Sequence, residues 1–426
     1  MALLVLDAHA GLSLDQALAR HRALRYSDEG FGAPFALLDP PRDGIMPVLG
    51  GPDDTVPFLL EPALRGRGGA SVVATPLRRA DGQRGPGLRL GLNWHEGATA
   101  ADALEGTSAS LSAGNGEAYV SLEPRHWGPG WVGSLILDAA AVPVPAIGWR
   151  KTSPTAFPVS WLAWLGPWNA DFFVGQLRGH TEPERPQLTG MRVQVRPLPG
   201  LEVGASRTMQ WGGEGQDNGF DAFWNSLIGR DNGPDAASDP GNQLAGFDVR
   251  YSAPVGGGRA AVYGQFVGED EAGLWPSQWM GLLGLEWAPA RQAAWDVRLF
   301  AEFADVVAGS VTGDPHYGSA YRHHTYKAGY TNAGLPLGHA IGGDARLVSA
   351  GALYDAGRVG ALVAAHGGRA TETSQRFAPG AHLAGLNAAA LYEVDRRNRV
   401  GLSMWWWRAG DDRSSALQAW WHTEWR

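Results

Sequence analysis

The chain has 426 residues, a formal net charge of −8 and no cysteine. The lack of cysteine excludes disulfides, thiolate catalysis and cysteine-based metal sites. The negative charge, and the lack of a basic run with interleaved aromatic residues, argue against nucleic-acid binding.

The N-terminal region is predicted to form one short helix and an irregular connector. Ser13–Arg25 is the clear helix candidate, because Ser13 and Gln16 make a capping box ahead of an apolar face. Gly32–Pro62 is rich in proline and glycine, which favours irregular structure. Residues 1–62 are therefore assigned to a helix and a connector.

From about Ala63 onward the sequence has the pattern of strands and turns. Apolar and polar residues alternate, which gives each strand one apolar and one polar face, because side chains on a strand point to opposite faces with period two. The predicted strands are Leu88–His95, Glu117–Glu123, Phe172–Leu177, Met191–Arg196, Leu201–Ser206, Phe247–Ser252, Arg259–Val267, Leu282–Trp287, Trp295–Ala304, Leu347–Leu353, Val359–His366, Leu386–Val394, Arg399–Trp406 and Leu417–Trp425.

This pattern predicts an all-β protein, a transmembrane antiparallel β-barrel over residues 63–426 with a short N-terminal helical segment. A barrel with a lipid-facing outside and a watery inside has this alternation, and the 60 glycines suit its many turns. At about 20 residues per strand with its loop, the region after residue 62 holds about 18 strands. The longest uncharged stretch, Ser153–Ala170, contains three prolines that would break a spanning helix.

Tryptophan is abundant, with 19 in the chain and six of them between Trp405 and Trp425. An indole has an apolar body and one donor, so such residues suit aromatic girdles at the two water–lipid interfaces. The alternative is a tryptophan-rich soluble β-protein that binds sugar, and the alternation of the strands favours the girdles. The final strand, Leu417–Trp425, is amphipathic and aromatic, as expected where a barrel closes.

Several short motifs stand out by their order and spacing. Arg125–Trp131 holds a Trp-Gly-Pro-Gly-Trp turn, and the others are Trp161–Trp168, Arg207–Gly215, Tyr326–Tyr330 and Gly338–Ala345. As a set, over roughly Ser121–Leu353, they resemble the capsule assembly protein Wzi family. The resemblance implies an outer-membrane β-barrel that binds polysaccharide as a surface lectin and helps attach exported capsular polysaccharide to the cell.

The resemblance also implies a place in the bacterial outer membrane, with lipid and capsular or extracellular polysaccharide as partners and a helical N-terminal part at the periplasmic end. Here that part is short. Met1–Leu14 is apolar but lacks a basic leader, so a signal peptide is not evident. An outer-membrane protein needs one, so we expect that the chain is mature, truncated or started late. We expect a monomer.

Two groups of residues are candidates for polysaccharide binding, which uses aromatic faces for the sugar ring and planar polar groups for hydroxyls. The alternative is that these residues lock loops inside the barrel and plug it, since polar groups in a lumen need partners with or without a ligand. The candidates are Arg125, Trp127 and Trp131 in the first group, and Arg207, Gln210, Trp211 and Glu214 in the second.

No cofactor or metal site is predicted. His323 and His324, taken as neighbours on a strand, would point to opposite faces and could not share a metal. Glu302 and Asp305 would also face opposite sides of one strand, so they would not flank a glycosidic bond. Glu302 is instead expected in a polar network of the lumen.

Three functions remain open from the sequence, with a non-enzymatic polysaccharide-binding protein in first place. An outer-membrane porin or saccharide conduit is the second, and it requires an open lumen. The large inner residues Arg298, Phe300, Trp420 and His422 predict a filled one. An enzyme acting on surface glycans is the third, and it requires catalytic groups that converge in space.

Overall fold

The structure, a computed structural model, describes residues 14–28, 43–50, 68–77, 86–95, 103–228, 241–272, 275–292 and 294–425. The helices are α1 (Leu14–Asp28), α2 (Phe220–Ile228) and two 3-10 helices, Ser160–Leu165 and Ser310–Thr312. The strands are β1 (Gly44–Gly50), β2 (Gly68–Leu77), β3 (Gly87–His95), β4 (Ser108–Ala113), β5 (Gly116–Ser121), β6 (Ala146–Lys151), β7 (Thr155–Ala156), β8 (Pro167–Gln176), β9 (Gln187–Leu198), β10 (Leu201–Trp211), β11 (Asn242–Val255), β12 (Gly258–Ala272), β13 (Trp275–Pro289), β14 (Asp296–Asp305), β15 (Thr331–Asn332), β16 (Leu335–Pro336), β17 (Ala345–Ala356), β18 (Val359–Ala370), β19 (His382–Glu393), β20 (Asn398–Ala409) and β21 (Asp412–Glu424).

Eighteen of the described strands form one closed antiparallel barrel, as the sequence predicted. Each strand pairs with its neighbours in the chain, and β1 pairs with β21 to close the sheet, with Gly44 opposite Glu424 and Leu49 opposite Ala419. The two-residue β7 only extends the pairing of β8, and β15 and β16 form a separate hairpin. The closed ladder leaves no open edge on which another chain could add a strand.

The barrel begins earlier than the predicted boundary at residue 62. Strand β1 lies inside the region assigned to the connector, and it pairs with β2 as well as with β21. Its Gly44, Pro47 and Gly50 gave it the composition of a loop, although seven residues suffice to close the sheet. Strands β2, β4 and β6 were also missing from the prediction, whereas the fourteen predicted strands are all present.

The helix prediction is confirmed for its described part, and α1 runs three residues beyond the predicted end, to Asp28. The capping residue Ser13 lies outside the described residues. Helix α2 was not predicted, and it follows a glycine-rich segment, residues 212–219. No helix in the described part of the chain is long and apolar enough to span a membrane.

The outer face of the barrel is apolar. On β13 the exposed Leu283 and Leu285 alternate with inward residues such as Leu282 and Glu286, which are fully or almost fully buried. The six C-terminal tryptophans do not all belong to a girdle, because period two divides them between the faces. Trp406, Trp421 and Trp425 are exposed, while Trp405, Trp407 and Trp420 are buried in the lumen.

The two ends of the barrel differ. Most connections at one end, which we call the short-turn end, are tight turns such as Gly256–Gly257, where φ values of +57° and +72° require glycine. The other, long-loop end carries residues 122–145, 177–186, 212–228, 306–344 and 371–381. In bacterial barrels the short turns are periplasmic and the long loops extracellular.

The lumen is filled by a plug that consists of α1, residues 122–145 and residues 320–344. Helix α1 enters from the short-turn end and packs against β17, β18 and β19. The two loops enter from the long-loop end, and they contribute Trp131, Leu135, Tyr330 and Ile341 to the buried core. The predicted inner residues Arg298, Phe300, Trp420 and His422 are all buried.

The apolar outer face gives a prediction about stability in a bilayer. Replacing Leu283→Arg puts a cation in the middle of a lipid-facing strand and should lower the free energy of unfolding by about 2–4 kcal/mol. Val359→Arg, at the short-turn end of β18, is the control and should cost no more than about 1 kcal/mol. Urea unfolding from lipid vesicles measures both, and equal costs would contradict a lipid-facing wall.

Candidate functional site

Trp131 lies at the centre of the plug. Its indole is 1% exposed, and its Nε1 donates to Glu286 at 3.0 Å. The Arg20 guanidinium of α1 lies 4.3 Å from the ring centroid, and the Phe300 ring stacks at 5.8 Å. Protein side chains therefore cover the indole ring, and a sugar could not stack on it in this arrangement.

Glu302 joins the plug to the barrel wall, as the sequence predicted when it placed this residue in a lumen network. It accepts hydrogen bonds from the backbone N–H of Trp131 and, at 3.0 Å, of Val132. The Tyr263 hydroxyl donates to it at 2.7 Å. Two orphan N–H groups of the loop are thus satisfied by one carboxylate of β14.

Arg20 links α1 to the loop of residues 122–145. Its guanidinium donates to the carbonyl oxygens of Pro129 and Gly130, the latter at 2.6 Å. Burial lowers the pKa of Arg20 to about 10. The side chain stays charged at neutral pH, so its hydrogen bonds to the Trp-Gly-Pro-Gly-Trp turn are charge-assisted.

Further ion pairs fix α1 at the short-turn end. Asp15 pairs with Arg399 at 2.6 Å, and the partly exposed Arg22 pairs with Asp355 at 2.6 Å. Deeper in the lumen, Glu286 pairs with Arg298 at 2.8 Å and with Arg250. The first two pairs tie the helix to β20 and β17, and the two Glu286 pairs join β13 to β14 and β11.

The other two candidates of the first group also pack inside the protein. Trp127 is 5% exposed, meets the Phe173 ring edge-on at 5.6 Å, and its carbonyl accepts from the Ser134 hydroxyl at 2.7 Å. Arg125 is half-buried with its guanidinium 4.1 Å from the Phe173 ring. It donates to the Glu123 carbonyl at 3.3 Å.

The second group does not share one surface. Gln210 faces the lumen, is fully buried, and donates to the Gly329 carbonyl at 3.1 Å. Arg207 and Trp211 lie an odd number of residues from Gln210 on the same strand, so they lie on the outer face. Glu214 is exposed beyond the strand end and lies 3.8 Å from the equally exposed Arg185.

The plug loops also lock each other through residues that the sequence analysis did not single out. The Tyr321 hydroxyl donates to the Leu135 carbonyl at 2.6 Å, and the Tyr330 hydroxyl lies 2.8 Å from the Ile136 carbonyl. Asn332 donates to the Val142 carbonyl at 3.0 Å. Only the motif Tyr326–Tyr330 gave a signal for these contacts.

Titratable groups of the plug loops have pKa values set by burial. The pKa of His126 and that of His339 are each lowered to about 3, so both imidazoles are neutral at pH 7. Burial raises the pKa of Asp138 to about 7, against the opposing hydrogen bonds from the Ala140 and Ser134 backbone N–H groups. At pH 7 these buried side chains are therefore neutral, in the case of the two imidazoles, or about half-ionised, in the case of Asp138.

A metal site is not formed by the described residues, since no group of three His, Asp or Glu side chains lies close enough to hold an ion. The reason given for His323 and His324 was wrong. They lie in a loop, not on a strand, and their rings stand 4.2 Å apart. Burial lowers the pKa of His323 to about 4.

Exposed side chains cover the plug at the long-loop end. We call them the rim surface, and it consists of the exposed Arg185, Glu214, His324 and Lys327 together with the half-buried Arg376. Their loops are connected, because the Lys327 N–H donates to the Glu182 carbonyl at 3.0 Å and the Glu214 N–H donates to the Glu184 carbonyl at 2.8 Å. The rim surface thus presents planar and charged groups on a fixed frame.

The Glu302 contacts predict the cost of loosening the plug. Glu302→Ala leaves two buried N–H groups and a phenol without their acceptor and should lower the free energy of unfolding by about 2–5 kcal/mol. Asp305→Asn is the control on the same strand. Its bond to the half-exposed Arg346 should contribute no more than about 1 kcal/mol. Urea unfolding from vesicles measures both, and a neutral Glu302 variant would contradict this role.

A family model and a curated relative match this chain. The model described as capsule assembly protein Wzi matches residues 88–356. A protein of Klebsiella pneumoniae, described as an uncharacterized 55.8 kDa protein in the cps region, is 42% identical over 165 residues. That alignment covers 38% of this chain and 32% of the relative, so the match spans about a third of the relative's length.

Two solved structures align with this chain, and the first of them has the same fold. Wzi of Escherichia coli, described as an outer membrane protein involved in group 1 capsule assembly and as a carbohydrate binding beta-barrel, aligns with a TM-score of 0.79. The alignment covers 100% of this chain and 99% of that chain at 23% identity. OpdQ of Pseudomonas aeruginosa aligns with a TM-score of 0.48 at 7% identity, over 89% of this chain and 95% of that chain.

Proposed function

The chain belongs to the capsule assembly protein Wzi family, and from this premise we propose that it is an outer-membrane protein that binds capsular or extracellular polysaccharide at the cell surface. The apolar outer wall suits a bilayer. The Escherichia coli relative of the same fold is described as carbohydrate binding, which supports the same ligand class here. The protein would help attach or assemble the exported polymer.

The filled lumen is the observation that carries this proposal over a porin or a saccharide conduit. A conduit for ions or sugars needs a continuous aqueous path, whereas here Trp131, Arg20 and Glu302 join the plug to the wall at its centre. A polymer would therefore meet the protein at the long-loop end, outside the plug.

We propose a division of labour among the candidate residues. Glu214, with the rest of the rim surface, would contact sugar hydroxyls and charged substituents through planar polar groups. The buried candidates would act indirectly by holding the loops beneath the rim surface in one conformation. These supporting residues are Arg125, Trp127, Trp131 and Gln210.

The proposed activity is binding without catalysis. Glu302 is enclosed by N–H donors inside the plug, and Asp305 pairs with Arg346 on the outer side of the same strand. These two carboxylates therefore do not flank a common bond, as a glycosidase would require. The closed sheet leaves no edge for strand addition, which supports a monomer.

Binding at one rim surface is expected to be weak for a single short oligosaccharide. A capsular polymer repeats its unit many times, and many barrels lie in one membrane, so several contacts along one chain would raise the effective affinity by mass action. Retention of the polymer would then depend on its length more than on any one contact.

The rim surface can be tested directly. His324→Ala combined with Lys327→Ala removes an imidazole and an ammonium group from it and should weaken binding of purified surface polysaccharide about three- to tenfold. Arg396→Ala combined with Arg397→Ala, at the short-turn end, is the control and should bind normally. Titration of the vesicle-folded proteins with polymer measures both, and equal binding by the two variants would contradict the proposed site.

A further inference from the structure

The motif Arg207–Gly215 contains an indole that the polysaccharide site does not use. On β10, Thr208 and Gln210 contact plug residues in the lumen. Since alternate side chains face opposite sides, Met209 and Trp211 face outward. They are nevertheless 0% and 9% exposed, which means that something covers the outer wall at the long-loop end of this strand.

Helix α2 provides that cover. The Phe223 ring of α2 packs 5.6 Å from the Trp211 ring, tilted by 58°. The indole Nε1 donates to the outward Thr189 hydroxyl at 3.0 Å, so Trp211 is satisfied on the wall and offers its face to the helix. Helix α2 therefore lies against the outside of the barrel and not over its mouth.

The helix leaves two large rings uncovered. Phe220 is 72% exposed and Trp224 is 48% exposed. One helical turn apart, their rings stack at 6.3 Å with an angle of 17° between the planes. The preceding turn is fixed, because the Gly213 N–H donates to Asn218 at 2.8 Å and the Asn218 amide donates back to the Gly213 carbonyl at 2.9 Å.

A second segment lies on the outer wall at the same end. Val311, in the 3-10 helix Ser310–Thr312, lies against the outward face of Gly281 on β13 and is 46% exposed. Between this segment and α2, the outward rings of Phe247 and Trp279 meet at 5.6 Å. The apolar wall is thus continuous from α2 across β11, β12 and β13 to the 3-10 helix.

We propose that α2 and the 3-10 helix Ser310–Thr312 form an external collar that binds the lipid surface at the long-loop end. Phe220, Trp224 and Val311 would enter the boundary between headgroups and acyl chains, where aromatic side chains and short amphipathic helices are stable. Trp211 would act as the positioning residue that supports α2. The proposal rests on the membrane placement given above and is independent of polysaccharide binding.

Lipid fits this surface better than polymer does. The exposed rings continue the apolar outer wall, where Phe247 is 48% and Val193 is 44% exposed. A sugar-binding platform would instead be expected beside the polar groups of the rim surface, on the lumen side of the loops. The motif Arg207–Gly215 then has two roles, one on each face of β10. Gln210 contacts the plug on the lumen face, and Trp211 supports the collar on the outer face.

The absence of cysteine makes a direct test simple. Phe220→Cys, Trp224→Cys and Val311→Cys variants would be spin-labelled singly and folded into bilayers that contain lipopolysaccharide. The ratio of oxygen to nickel-chelate accessibility should be at least about threefold higher at these positions than for the label of Arg396→Cys, at the tip of a short turn. It should approach the ratio for Leu283→Cys in the middle of the wall.

The controls separate this inference from the proposed function. Suppose that the Leu283 label is protected from the nickel chelate but the labels at 220 and 224 have the same accessibility ratio as the Arg396 label. The collar then faces water, and this inference fails while the membrane placement stands. If the Leu283 label also matches the Arg396 label, the membrane placement itself fails. Adding Trp211→Ala should lower the accessibility ratio of the label at position 224 toward the ratio of the water-exposed Arg396 label. The accessibility ratio of the Leu283 label should not change.

Discussion

The rest of the structure depends on the hydrogen bonds that the Glu302 carboxylate accepts from the plug. The carboxylate stands on a strand of the wall, yet it accepts the backbone N–H groups of Trp131 and Val132 in the plug. The same turn receives Arg20 from α1, through the carbonyl of Gly130. One buried carboxylate and one buried guanidinium therefore join the wall, the loop of residues 122–145 and the N-terminal helix across the lumen.

A barrel filled in this way is suited to hold loops still and not to pass solutes. Buried polar groups are costly unless they are paired, so the hydrogen bonds and ion pairs of the plug favour one arrangement of its loops. The loops that leave it carry the exposed groups of the rim surface on a rigid frame. The proposed collar, α2 and the 3-10 helix, would set the height of these loops relative to the lipid. In the proposed function, a long surface polymer and the membrane lipid would contact different faces of the same loops.

Much of this could be predicted from the sequence, because alternation with period two is a local signal. It gave fourteen strands, the barrel and the inward position of Glu302. It failed for β1, whose proline and glycines resemble a loop, and for α2, whose nine residues follow a glycine-rich run. The binding residues were harder to predict, because the type of a residue does not show whether its side chain is buried or accessible to a ligand. Trp131 and Trp211 both have the chemistry of a sugar platform, but Arg20 and Phe300 cover the first.

Amide hydrogen–deuterium exchange of the vesicle-folded protein, with and without purified surface polysaccharide, tests the central claim most directly. The account predicts that polymer slows exchange at the long-loop end, in residues 182–185 and 322–328, and leaves the turns of the short-turn end unchanged. Residues 128–136 should be protected in both states, because the plug is closed without ligand. Protection by polymer at the short-turn end, or rapid exchange throughout residues 128–136, would contradict a plugged barrel that binds at its rim.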